Sequence, residues 1–311
     1  MRAITVGFGE TGCKITEALS ENRPKFSKEE LFTCFAISDN LEFLSSLEHI
    51  ESENRFPFMT FPSKGRVEGV INEILSIPEF YETYLLITDI FDDFGYHTMV
   101  EFIKCLREKS DEPIITLNIV PPLHKPRNLS EMKKRLITIR KIADVLILFE
   151  NKGDIEKRVV EPFNILAAAG ELEARGEVGE VVVDTSDIIN SIKDGITVMG
   201  FAKRDIPPEP FRFIKKVDFK KQAERTMRMV ELLKEAMTNL SLPVDISDAS
   251  SALFIFSAHP DELTFDGYNT CLSLLAELNP KMRIRYGDFP LKKSDEIVAL
   301  ILFSGIRRIR F

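Results

Sequence analysis

Three glycines in the run VGFGETGC, Gly7, Gly9 and Gly12, stand between a short apolar stretch and a helix-like one. Glycines at that spacing let backbone N–H groups approach a phosphate, and the N-terminus of the following helix adds a favourable dipole. The same GxGxxG spacing serves dinucleotide-binding folds, in which Asp39, at the polar end of the next apolar run, would bind a ribose. It also serves a plain tight turn that needs small residues. Further on, LLITDIFDDFGYHT leads from an apolar stretch into two adjacent aspartates, Asp92 and Asp93, followed by Gly95. Paired carboxylates suit a hard divalent cation such as magnesium. They also repel a polyphosphate: two unit charges about 4 Å apart cost roughly 1 kcal/mol in water and about 4 kcal/mol at a partly buried site. His97 has no spaced partner and reads as a surface or capping residue. In DTSDII, Asp184 and Asp187 precede an apolar helical pattern and can cap it.

Strand-like and helical patterns alternate around these residues. AITVGFG (3–9), LFTCFAISDN, YLLITDI, PIITLNIVPP and ADVLILFENK read as strands. ETGCKITEALSEN, TMVEFIKCLREKS and NLSEMKKRLITIRKI read as the helices between them. That rhythm predicts an α/β unit, a parallel sheet covered on both faces, with its ligand at the carboxyl ends of the strands. The alanine-rich stretch around PFNILAAAGELEARG reads as a central helix. Near residue 200 the style changes. IPPEPFRF reads as a proline-rich boundary, KKQAERTMRMVELLKEAMTNL as a long amphipathic helix, and ALFIFSA, DGYNTCLSLLAELN, MRIRYGDFP and EIVALILFSGI as a smaller α+β unit. The expected division is a nucleotide-binding domain over 1–200, central helix included, and an α+β domain over 201–311.

Composition narrows the field. With 311 residues, 44% of them hydrophobic and 29% charged, the chain is globular. A net charge of −8 argues against a nucleic-acid partner. No apolar run is long enough for a transmembrane helix, and the start MRAITVGFG lacks a signal-peptide pattern. Cys13, Cys34, Cys105 and Cys271 are scattered, which suits a reducing cytoplasm better than a disulfide or zinc framework. Only 15 residues are glycine, so loops that would ordinarily be glycine-rich must be built otherwise.

Four segments in order resemble the tubulin/FtsZ superfamily. GFGETG resembles its first nucleotide loop. NLSEMKKRL (128–136) resembles its Glu/Arg segment, which implies Glu131 on the ribose and Arg135 on the phosphates. GEVVVDTSDII (179–189) resembles the GxxNxDxAD loop: Gly179, Asp184 and Asp187 are in register, Ser186 replaces Ala and Val182 replaces Asn. The segment from FIFSAHPDELTFDGYNTCLSLLAELNP through SDEIVALILFSGI resembles the whole C-terminal domain of FtsZ.

The resemblance implies a guanine nucleotide, GTP or GDP, with magnesium, and head-to-tail self-association. In that family Asp184 and Asp187 would polarise an attacking water at the nucleotide of the next subunit. Asn151 and Asn164, with Phe163, would read the base. Division is the family's common task. One departure stands out: the family's GGGTGTG loop is here IFDDFGYHT, so its glycines fall on Asp92, Asp93 and Phe94, leaving only Gly95, shifted. A second glycine-rich loop is here FPSKGRVEG, where Lys64 or Arg66 could compensate. Asp92 and Asp93 could hold a divalent cation on the nucleotide, the loop could mark a non-hydrolysing scaffold with a degenerate site, or the site could have changed ligand. The chain ends at Phe311 after the last strand, which implies no direct membrane anchor of its own. A nicotinamide or flavin oxidoreductase built on Gly7, Gly9, Gly12 and Asp39 is the remaining alternative, and it leaves the C-terminal half unexplained.

Overall fold

The computed structural model describes residues 1–22, 30–61, 63–122, 128–171, 183–207 and 219–307. The chain divides into two compact units, Met1–Ala167 and Ala168–Ile309. The division falls in the last turn of a helix, while the change of sequence style falls near residue 200.

The first unit is built on β1 (Ala3–Phe8), α1 (Gly9–Glu21), β2 (Phe32–Ser38), α2 (Leu41–Ser45), β3 (Arg55–Pro57) and α3 (Lys64–Leu75). It continues through β4 (Thr83–Asp89), α4 (Asp93–Arg107), β5 (Ile114–Val120), α5 (Leu129–Arg140), β6 (Val145–Glu150) and α6 (Ile155–Ala169). The strands are ordered β3-β2-β1-β4-β5-β6, and every pairing in that run is parallel. β1, β5 and β6 are buried along their whole length, as continuous apolar runs covered on both faces must be. The five expected strands and their helices all form.

Two elements of this unit were not expected. β3 is three residues long and gives too short a pattern to read. α3 occupies the segment expected to be a glycine-rich loop. Its buried residues Val67, Val70, Ile71 and Ile74 repeat at helical spacing and dock it despite Gly65 and Gly69. α6 supplies the expected helix, starting at Ile155 and containing Pro162; its expected continuation from residue 172 lies outside the described residues.

The second unit contains α7 (Thr185–Ile192), β7 (Ile196–Asp205), α8 (Phe219–Thr238), β8 (Ser251–Ala258), α9 (Phe265–Leu278), β9 (Arg283–Pro290) and β10 (Glu296–Ile306). β10 lies antiparallel between β7 and β8, and β9 pairs parallel with β8. β8 is fully buried, and Phe254, Phe256, Tyr268 and Tyr286 pack ring against ring in its core. Glu262, only 1% exposed at its side chain, accepts a hydrogen bond from Arg228 Nε at 3.1 Å and is ion-paired with Arg225, whose Nε lies 3.2 Å from Oε1; both arginines are on α8. Most of the proline-rich segment expected as a boundary lies outside the described residues. Among the described residues no helix is long and apolar enough to cross a membrane.

Candidate functional site

β1 and β4 are parallel neighbours, with Phe8 opposite Thr88, so the turns leaving them lie side by side. The first turn is built around Gly9, whose φ of +71° falls in the left-handed region that favours glycine. Gly12 is required by close approach: a Cβ there would come within 2.3 Å of the Ile87 carbonyl oxygen. Gly7 packs as tightly against the Gly12–Cys13 backbone. Cys13, buried with its thiol donating to the Gly7 carbonyl at 3.3 Å, is structural; burial pushes its thiol well up. The sequence reading of this turn as a site where backbone comes close to something else therefore has its geometry.

What comes close to Gly9 is Asp92. A Cβ on Gly9 would stand 1.8 Å from Asp92 Oδ2, so the carboxylate fills the space glycine leaves. Asp92 is the N-cap of α4 and accepts the Gly95 N–H at 2.9 Å. One carboxylate thus lies between the Gly9 turn and the amide end of α4, where helix dipoles favour an anion. Burial raises its pKa above the ordinary carboxylate value, the Gly95 and Phe94 amides oppose the rise, and the charges of Asp39 and Asp93 add to it. Asp89, at the end of β4, is also pushed up by burial, and it accepts the Phe91 N–H at 2.8 Å. Gly95 sits inside α4 under Thr88 and the Phe8 carbonyl, serving close packing.

Arg135 and Glu131 lie one turn apart on α5, and Arg135 Nε donates to Glu131 Oε1 at 3.1 Å. α5 starts from Asn128, whose side chain caps Glu131 N from a left-handed backbone position. Arg135 Nη1 donates to the Ile90 carbonyl at 2.9 Å, and its Nη2 is ion-paired with Asp93. Its guanidinium also lies 4.7 Å from the Tyr96 ring centroid. The side chain is only 10% exposed, while that of Asp93 is 69% exposed. The arginine expected to face phosphates is therefore turned onto Asp93.

These engagements bear on a metal. Asp92 is held by α4 amides and Asp93 by Arg135. Among the described residues no group of three or more His, Cys, Asp or Glu stands close enough to hold an ion. Both carboxylates named for a cation on the nucleotide are thus already engaged by groups of the protein. Lys64 pairs with Glu108, Arg66 lies 4.5 Å from the Phe58 ring centroid, and His97 packs against Phe61 and Tyr96, so these three serve the α3–α4 surface.

A cavity of about 610 Å³ lies along α1 from Lys14 onward, and Gly9, Asp92, Asp93 and Arg135 are not among its lining residues. One wall is Lys14, Glu17, Ala18 and Glu21, and the other is Lys157, Val160, Glu161 and Asn164 of α6. Each set is an i, i+3, i+4, i+7 stripe, so two helix faces look at each other across the space. Asn164 donates from Nδ2 to the Asn22 carbonyl at 2.7 Å. Its Oδ1 is buried and has no hydrogen-bond partner. Glu17 is engaged by the amides of Glu48, His49 and Ile50, at 2.5, 2.6 and 3.0 Å. Phe163 is fully buried and belongs to the core. Asn151 is exposed after β6, with its amide on the Val120 carbonyl, and does not line the cavity; Asp154, three residues on, does. Lys14 and the two stripes were missed in the sequence, although the helical spacing from Gly12 onward was there to read.

Asp184 and Asp187 lie in the second unit. Asp184 is exposed and caps α7, accepting Asp187 N–H at 2.7 Å. Asp187 Oδ1 is 3.8 Å from Arg285 Nε, and Arg285 Nη1 donates to the Asp187 carbonyl at 3.1 Å. Gly179 and Val182 lie outside the described residues.

Residues 149–310 match the family model of the C-terminal domain of tubulin-like CetZ proteins. The chain belongs to the tubulin-like CetZ family. Tubulin-like protein CetZ1 of Haloferax volcanii is 24% identical over 353 residues, covering 99% of this chain and 89% of the relative. The structure of CetZ1 from Haloferax volcanii as a GDP-bound monomer superposes with a TM-score of 0.80 at 21% identity, covering 100% and 96% of the two chains. A GTPγS-bound protofilament of CetZ2 from the same organism gives 0.77 at 21% identity, covering 100% and 95%. At those identities the structural likeness shows the fold. The tubulin/FtsZ resemblance and the expected α/β fold class are thereby borne out, and the chain is a cytoskeletal tubulin homologue of the CetZ kind.

Proposed function

We propose that this protein is a filament-forming CetZ protein of the cytoplasm that binds a guanine nucleotide in the cavity between α1 and α6. The observation that carries the reading is the acceptor-rich wall of that cavity. Asn164 Oδ1 is buried and unpartnered, and Glu161, Glu21 and Asp154 line the same space. Guanine presents N1–H and N2–H₂ donors where adenine has no such pair, so acceptors here favour guanine. The GDP-bound CetZ1 monomer and the GTPγS-bound CetZ2 protofilament support both the ligand class and self-association. Asp184 and Asp187 are the proposed catalytic acids, acting on the nucleotide of the next copy.

The test is calorimetric titration of guanosine and GMP against adenosine and AMP, with sedimentation of the same samples. Binding of the guanine compounds alone, with pelleting that depends on protein concentration, supports the reading. Equal binding of adenine compounds, or no pellet under any condition, overturns it.

One observation favours a second reading, a CetZ scaffold that does not hydrolyse nucleotide: Arg135 is already paired with Asp93. It predicts filaments without phosphate release at any protein concentration.

A further inference from the structure

We propose that Asp92 and Asp93 are built-in substitutes for the ligand's phosphates, so that the site selects the nucleoside part and discriminates against the polyphosphate. Three independent features of the first unit converge on this. Asp92 places a carboxylate against Gly9 and on the amides of α4, which is where backbone of this shape would hold a phosphoryl oxygen. Asp93 holds the guanidinium of Arg135, the one cation of α5 that is turned inward there, and Glu131 and the Ile90 carbonyl take its other donors. Glu10 in the first turn of α1, bonded to Asn40 at 2.7 Å, and the charge of Asp39 after β2 add to these, so a bound polyphosphate would meet several carboxylates. An ordinary phosphate-binding turn gains affinity with each phosphate added. Here each phosphate must displace a carboxylate from amides or from Arg135, and the usual order of affinities, triphosphate over diphosphate over nucleoside, is flattened or inverted. The inference rests on the guanine reading only for the position of the nucleoside; the phosphate end can be probed separately.

The experiment uses the full chain and the variants Asp92→Asn, Asp93→Asn and the pair, titrated with inorganic tripolyphosphate, guanosine and GTP. Asparagine caps a helix as well as aspartate does, so α4 keeps its cap while losing the charge. The expected result is that GTP binds the wild type no more tightly than guanosine does. Tripolyphosphate and GTP should bind the double variant at least about tenfold tighter than the wild type, with guanosine unchanged. If the double variant does not fold by circular dichroism, Asp93→Asn alone carries the test, since it leaves the Asp92 cap of α4 in place. Wild-type protein that binds GTP about a hundredfold tighter than guanosine, or variants that gain nothing for tripolyphosphate, overturns the proposal. A gain for tripolyphosphate with no guanosine binding to any protein would show Asp92 and Asp93 standing in for phosphates, but it overturns the selection of the nucleoside and the guanine reading with it.

Discussion

Replacing Glu262 by glutamine should destabilise the second unit severely. The carboxylate is 1% exposed and receives two guanidinium nitrogens, at 3.2 and 3.1 Å, from arginines whose side chains are 18% and 20% exposed. At an effective dielectric near 20, each such pair is attracted by roughly 5 kcal/mol. Much of that gross attraction is offset by removing the carboxylate from water, an expense of several kcal/mol. The variant keeps the arginines but removes the buried carboxylate charge that both of them face. Breaking a buried pair from one side costs about 3–5 kcal/mol, against a total of about 5–15 kcal/mol for a typical domain. With a urea slope of about 2–3 kcal/mol per molar, the unfolding midpoint should fall by roughly 1.5 M. The chain has no tryptophan, so the assay is far-ultraviolet circular dichroism, to which α8, 20 residues long, contributes strongly. A triple variant with apolar residues at Arg225, Arg228 and Glu262 should recover most of the loss. A loss under about 1 kcal/mol in the single variant would mean that water reaches the carboxylate and that the pair acts like a surface ion pair, refuting the argument.

The remaining predictions concern the site and its scaffold. Asp184→Ala should lose about 1 kcal/mol of stability through the α7 cap, whereas Asp184→Asn should lose only a few tenths. If the wild type releases phosphate on assembly, both variants should release none while still binding guanosine, and an active Asp184→Asn would reduce Asp184 to a cap. Gly69, exposed on α3 with open space about it, should tolerate alanine and gain about 1 kcal/mol in unfolding free energy. Asp92 and Asp89 hold their protons more tightly when folded, because burial raises both. Their contribution to stability is therefore full below the ordinary carboxylate pKa and is lost as pH rises through the raised values. Asp92→Asn should flatten urea midpoints measured across that mildly acidic range, and an unchanged profile would show that Asp92 is not the group responsible.

Much of the first unit was legible because parallel strands buried on both faces read as unbroken apolar runs, and LLIT, IITLNIV and VLILF all do. α3 was not, because its two glycines outweighed a four-residue stripe that only docking makes decisive. The glycine turn was legible for a similar reason: Gly9 must be glycine both for its positive φ and for the space Asp92 takes. The fate of Asp93 was not legible, since its partner Arg135 lies 42 residues away and meets it only when β4 and β5 bring α4 and α5 to the same sheet end. Local sequence showed two acids where glycines were expected, and so suggested a metal, a dead site or a change of ligand.

The geometry offers a further account of those acids, in which the loop keeps its shape because it carries its own anions. A glycine-rich phosphate loop is stabilised by its ligand, and without one its helix amides and its arginine face water or repel each other. Asp92 on the α4 amides and Asp93 on Arg135 satisfy those groups in the absence of any ligand. A carboxylate fixed at a helix N-terminus gains about 0.3–1 kcal/mol from the dipole, which offsets part of the burial cost that raises the Asp92 pKa. The loop would then be ordered whether or not nucleotide is bound. If assembly in this family depends on an ordered phosphate loop, this chain should assemble without a triphosphate. Sedimentation of nucleotide-free protein decides the point: filaments in the absence of nucleotide follow from a loop that supplies its own charge, and strict dependence on GTP contradicts it.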